Sequence, residues 1–115
     1  MRSERQYLTD MVEAAKAIAR FLTGLDREMF LADELRQSAV IQKIEVIGEA
    51  ASKIGSDLRS RYPEVSWSQI VGMRNLLVHG YFSIKAVIVW QQTATQAVPE
   101  LREQIAAILA QEFGD

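Results

Sequence analysis

Apolar residues recur along the chain at intervals of three and four, the spacing that gathers side chains on one face of an α-helix. From Ser3 to Thr23 the stripe is Tyr7, Leu8, Met11, Ala14, Ala15, Ile18, Phe21 and Leu22, and Gly24 follows as a terminator. A second stripe of Val40, Ile44, Ile47, Ala51 and Ile54 predicts a helix from about Asp33 to Ile54, stopped at Gly55, with Asp26 starting a short turn ahead of it. The other side of that helix carries Ser38, Gln42, Glu45 and Glu49, so one face is polar and acidic. Ser56 to Tyr62 reads as a short helix that must end before Pro63.

The stretch "VSWSQI" carries a strong helix-start signal. Ser66 is a natural N-cap, Gln69 completes a capping box, and Val65 can staple to Ile70. The helix it opens should run from Trp67 to about His79, with Gly80 as its left-handed terminator. The last segment, Ser83 to Phe113, is apolar at Ile84, Val87, Ala94, Val98, Leu101, Ile105 and Ile108. Its run "AVIVW" has strand character from the β-branched residues, but no second strand pattern exists to pair with it. Helix is therefore expected, kinked or broken at Pro99. The pattern predicts an all-α up-and-down bundle over residues 1–115 as a single domain. It has about four main helices plus short helical turns, and the last helix is kinked near Pro99.

Composition narrows the chemistry. At 115 residues, 49% apolar and 24% charged, the chain can bury one ordinary core. Its formal charge of −2 argues against a general nucleic-acid binder, so any such role needs a local positive site. With no cysteine there are no disulfides, thiolate zinc sites or cysteine nucleophiles. No apolar run approaches the roughly 20 residues of a membrane span. The start "MRSERQYLTD" lacks the apolar core of a signal peptide. A cytoplasmic protein with no membrane partner is expected.

The candidate chemistry sits in "RNLLVHGYF", residues 74–82, which holds the single histidine. On a helical wheel at ~100° per residue, Ser68, Gly72, Asn75 and His79 share a narrow polar strip, and Arg74 falls inside the apolar arc between Ile70 and Val78. An arginine there must be paired or face a hydrated cleft, because desolvating an unpaired charge is costly. It could pair with Glu45 or Glu49 as a structural bridge while His79 merely ends a helix. Three features favour chemistry instead. A helix C-terminus stabilises imidazolium, so His79 can hold a proton for transfer near neutral pH. Arg74 is a fixed fork suited to phosphate. Gly80 permits a sharp turn that can aim Tyr81 back at the site. Glu45 and Glu49 make a poor metal ligand set, and none is expected. Trp67 and Trp90 read as packing. Arg59 and Arg61 read as surface charges.

These residues resemble a family. "RNLLVHGYF" fits the R-x4-H-x-Y form of the motif of HEPN domains, and the chain resembles the HepT-like toxins encoded with a minimal nucleotidyltransferase (MntA-type) antitoxin. "IEVIGEAASKI", "PEVSWSQIVGMRN", "YFSI…VW" and "VPEL" follow that family's landmarks in order, from about Gln37 to Leu101. Lys85 stands where an aspartate is expected, and Ala97 where an acidic residue is common. The resemblance implies a HEPN-type bundle acting as a metal-independent endoribonuclease, the toxin of a type VII toxin–antitoxin system. Arg74 and His79 would be catalytic, with Asn75 and Glu49 in support. It also implies a homodimer, an RNA substrate (a tRNA or an mRNA), and no cofactor for cleavage. Tyr81 would accept AMP from the cognate antitoxin, which would itself use ATP and a divalent metal. The alternative is a HEPN module that binds a nucleotide or its partner and cuts nothing.

Overall fold

The computed structural model describes residues 2–79, 82–91 and 97–115, excepting the side chains of 75–79 and 82–85. Among the described residues there is no strand. Seven helices lie among them, in order: α1 (Glu4–Leu22), α2 (Arg27–Leu31), α3 (Glu34–Ser52), α4 (Ser56–Arg61), α5 (Trp67–His79), α6 (Phe82–Trp90) and α7 (Ala97–Phe113). Four are long and three are short, as the periodicity predicts. Helix α3 is the spine: α1 and α5 pack along it, and α7 lies on the other side of α1.

Local chemistry sets the helix starts. Ser3 and Gln6 form a complete capping box at α1, and Asp26 and Asp33 each accept a backbone N–H at the starts of α2 and α3. Gly24 takes φ +79° where the chain leaves α1, a conformation open to glycine. The helix ends rely on donors from elsewhere. Arg36 Nη1 reaches the Phe21 carbonyl at 2.7 Å. Buried Gln37 donates to the carbonyls of Phe30 and Leu31 at 2.9 and 3.0 Å. The Arg59 fork donates to Ala51 and Ile54 at 2.8 and 2.9 Å. Carbonyls at a helix end lack the N–H of a following turn, and these long side chains supply further donors there, the Phe30 and Ala51 carbonyls also accepting from the backbone of Asp33 and Ile54.

The stripes read from the sequence form the core. Leu8, Met11, Ala15 and Ile18 from α1 meet Val40, Ile44, Ile47 and Ala51 from α3 and Ile105 and Ile108 from α7, all buried. Each fully buried leucine or isoleucine contributes about 1.5–3 kcal/mol relative to exposure. Both tryptophans pack. Trp67 is buried with its indole N–H on the Tyr62 carbonyl at 3.1 Å, and the Trp90 ring lies 5.5 Å from that of Phe30.

Pro99 sits in the first turn of α7, where a missing N–H leaves no intrahelical bond unmade. The kink or break expected near it turns on residues 92–96. The chain forms α6 before it and α7 from Ala97 onward; residues 92–96 lie outside the described residues.

A clasp holds the end of α7 to α4. The Tyr62 hydroxyl donates to Glu112 at 2.6 Å, and Arg61 bridges Glu112 at 2.8 Å and Asp57 at 2.9 Å. The hydrogen bond from Tyr62, aided by Arg61, holds the Glu112 carboxyl below its ordinary value, and the same bond together with burial raises the Tyr62 hydroxyl. A carboxyl depressed in the folded state stabilises above its unfolded pKa of about 4.3 and loses that contribution as pH falls through the lower folded value. Glu112→Gln should therefore lower the melting temperature at neutral pH. The gap from the parent should shrink below about pH 4; calorimetry across pH 3–7 checks this.

Candidate functional site

The site begins with a close approach of two helices. Gly48 lies in the middle of α3, where glycine costs about 1 kcal/mol of helix propensity relative to alanine. The geometry explains its presence. A Cβ built on Gly48 would lie 2.5 Å from the Arg74 Cβ and 3.2–3.3 Å from its Cγ and Cδ. The bare backbone of α3 is thus the bed on which the Arg74 stem runs. From there Arg74 Nη1 reaches the Glu49 carboxylate at 2.6 Å, one residue beyond the glycine. Arg74 is 27% exposed and Glu49 57%, so the pair lies at a hydrated edge rather than in the core. Arg74 makes further interactions besides this one. Lys53 approaches the other Glu49 oxygen at 3.8 Å, so that carboxylate faces two cations.

Of the two partners open to Arg74 from its spacing, Glu49 is the one engaged. Glu45, one turn earlier, has no ion pair among the described residues. No group of three metal-ligating side chains lies together among them either. Arg59 and Arg61 are committed elsewhere, one capping α3 and the other in the Glu112 clasp. The backbone places Asn75 and His79 on α5, with His79 as its last residue and so at the helix's negative end. Their side chains, and Tyr81 altogether, lie outside the described residues, so the reading of Asn75, His79 and Tyr81 stays with the sequence.

Arg74 also forms one wall of a groove of about 480 Å³ between α1 and α3. Beyond Glu49 the α3 wall carries Glu45, Val46 and Gln42; the α1 side carries Tyr7 and Asp10, with Arg2 ahead of the helix. This groove was not legible in the sequence. Tyr7 reads there as one more member of the core stripe, whereas in the fold it is half-buried with its ring facing the cleft.

The Gly48 contact yields a test. Gly48→Ala gains about 1 kcal/mol of propensity but drives one Cβ into another, which neither residue can relieve by rotation. Overpacking of that kind costs about 1–3 kcal/mol, so the change should destabilise and push α5 off α3. Gly72 on α5 has nothing described within 4 Å. There Gly72→Ala should gain up to ~1 kcal/mol. Opposite signs for the two alanines in thermal unfolding would confirm the crossing.

Comparison with known proteins identifies the family. The family model described as Ribonuclease HepT-like matches residues 11–108. A "Probable ribonuclease HepT" of Thermococcus cleftensis is 37% identical over 88% of this chain and 91% of its own length. A candidate RNase of Methanocaldococcus jannaschii is 32% identical, covering 93% and 97% respectively. A candidate RNase of Caldanaerobacter subterraneus subsp. tengcongensis is 31% identical, covering 97% and 99%. No solved structure matches the chain.

Proposed function

The chain belongs to the HepT-like ribonuclease family, and from that premise we propose that it cuts RNA without a metal, as the toxin of a two-component toxin–antitoxin system. The observation that carries this reading is the placement of Arg74. Its stem is fixed over Gly48, its head is held by Glu49 at a groove's edge, and it stands on the same helix as His79 at the helix's C-terminal end.

The reaction needs three services. The RNA 2′-oxygen bonds to the adjacent phosphorus as its proton leaves to a base, the P–O5′ bond breaks, and the departing O5′ takes up a proton. The products are a 2′,3′-cyclic phosphate and a 5′-hydroxyl. His79 carries protons, and Arg74 stabilises the negative charge that grows on the phosphoryl oxygens. Glu49 orients the fork between turnovers, and Asn75 positions Arg74, His79 or the phosphate. One imidazole cannot be base and acid in the same step. A twofold homodimer supplies two copies of His79 and Arg74 to one cleft.

The partner in this proposal is a cognate minimal nucleotidyltransferase, which uses ATP and a divalent metal to transfer AMP to Tyr81: the phenol oxygen bonds to the α-phosphorus as its proton leaves, and pyrophosphate departs. Expression of the chain alone should then arrest growth, and co-expression of that partner should relieve it. His79→Ala should be harmless at equal protein level. Arrest that persists in His79→Ala would favour a module that acts by binding, and absence of arrest by the parent would contradict a toxin.

A further inference from the structure

The groove beside Arg74 has a composition that phosphate binding does not explain. Two arginines, Arg2 and Arg74, line it together with three carboxylates, Asp10, Glu45 and Glu49. Asp10 is taken by Arg2 through two bonds of 2.9 and 2.7 Å, and Glu49 by Arg74. That leaves the Gln42 amide and the Glu45 carboxylate. They are one turn apart on the same face of α3, and neither has a hydrogen-bonding or ionic partner among the described residues. Opposite them is the half-buried Tyr7 ring, packed against the core, with the Arg2 guanidinium lying over it 5.8 Å from its centre. The net negative lining repels a second phosphate. It suits a flat, neutral group with N–H donors along one edge.

We propose that this groove holds a nucleobase of the RNA next to the phosphate engaged by Arg74, stacked on the Arg2 guanidinium that Tyr7 supports and read on its edge by Gln42 and Glu45. The proposal rests on the RNA-cleaving reading of Arg74. Unpaired bases in single-stranded RNA are recognised in this manner, by stacking on aromatic rings or arginine guanidinium planes and by hydrogen bonds to the Watson–Crick edge. A volume of about 480 Å³ has room for one nucleotide unit and lies in the usual range for small-ligand sites.

The donor inventory sets the preference. An ionised carboxylate only accepts, while a glutamine amide both donates and accepts. Guanine presents adjacent N1–H and N2–H donors that match the two Glu45 oxygens, and its O6 accepts from Gln42. Adenine and cytosine offer one exocyclic amino group to Glu45. Uracil offers only its N3–H, flanked by two carbonyl oxygens that face the carboxylate unfavourably. The groove therefore prefers bases that carry an exocyclic amino group, guanine first and uracil last.

The test uses the full chain and the four nucleoside 3′-monophosphates, with binding followed by calorimetry or NMR. Guanosine 3′-monophosphate should bind about tenfold more tightly than the uridine compound, the size of one good edge contact. Glu45→Gln, which swaps one acceptor oxygen for a donor, should collapse that ratio towards unity without unfolding the protein. Tyr7→Leu keeps the apolar packing and should weaken all four ligands alike. Cleavage maps of a mixed-sequence RNA should show the same preference and lose it in Glu45→Gln. Equal binding of the four nucleotides, or an unchanged preference in Glu45→Gln, overturns the base site even if RNA is cut. A parent protein that cuts no RNA but keeps the Glu45-dependent ranking sinks the nuclease reading and supports the groove.

Discussion

Arg74→Lys should lower single-turnover RNA cleavage by about two orders of magnitude or more, the usual loss when an oriented donor to a developing oxyanion is removed. The substitution separates chemistry from folding. Lysine keeps the positive charge and the carbons that cover Gly48, so the α3–α5 crossing is preserved. It loses the planar fork, which can hold Glu49 or two phosphoryl oxygens in fixed geometry. A variant that keeps its circular dichroism and melting temperature but not its rate would assign the loss to the fork. His79→Ala should be at least as severe, because proton transfer alone is worth about 10²–10⁴ in rate. Activity near the parent's in either variant would contradict the proposed roles.

The second large effect concerns control. Co-expression with the cognate nucleotidyltransferase and ATP should add one or more adenylyl groups of about 329 Da each, the first on Tyr81. An adenylyl group brings a phosphate anion close to the motif. Placed in the cleft it would occupy the Arg74 fork and repel the incoming RNA backbone, so neutralisation needs a covalent plug rather than unfolding. Tyr81→Phe should fold, escape the modification and stay toxic in the presence of the partner. Intact-mass and peptide analysis reads the outcome. AMP found only at other residues, or normal neutralisation of an active Tyr81→Phe protein, would overturn the role of Tyr81.

Much of the fold is written in short-range pattern. The stripes on α1 and α3, the starts of helices near Ser3, Asp26 and Asp33 and the bounds of α5 all follow from neighbouring residues, and the structure reproduces them. What escapes the sequence is set by contacts between distant segments. A glycine in the middle of α3 looks like a weak point until Arg74, on another helix, runs across it. Arg36, Gln37 and Arg59 look like ordinary polar residues until each is found closing a helix end. Tyr7 and Glu45 become two sides of one groove only after α1 packs on α3. The choice of Glu49 over Glu45 as the partner of Arg74 is of the same kind, since both lie on one face and only the helix crossing selects between them.

The central claim is that Arg74 and His79 cut RNA through its own 2′-hydroxyl. It is tested most directly by end-group analysis of single-stranded RNA incubated with the purified protein in EDTA. The account predicts 2′,3′-cyclic phosphate and 5′-hydroxyl ends at a rate unchanged by the chelator, and none of these products with His79→Ala. A strict requirement for magnesium, or products ending in 3′-hydroxyl and 5′-phosphate, would contradict it.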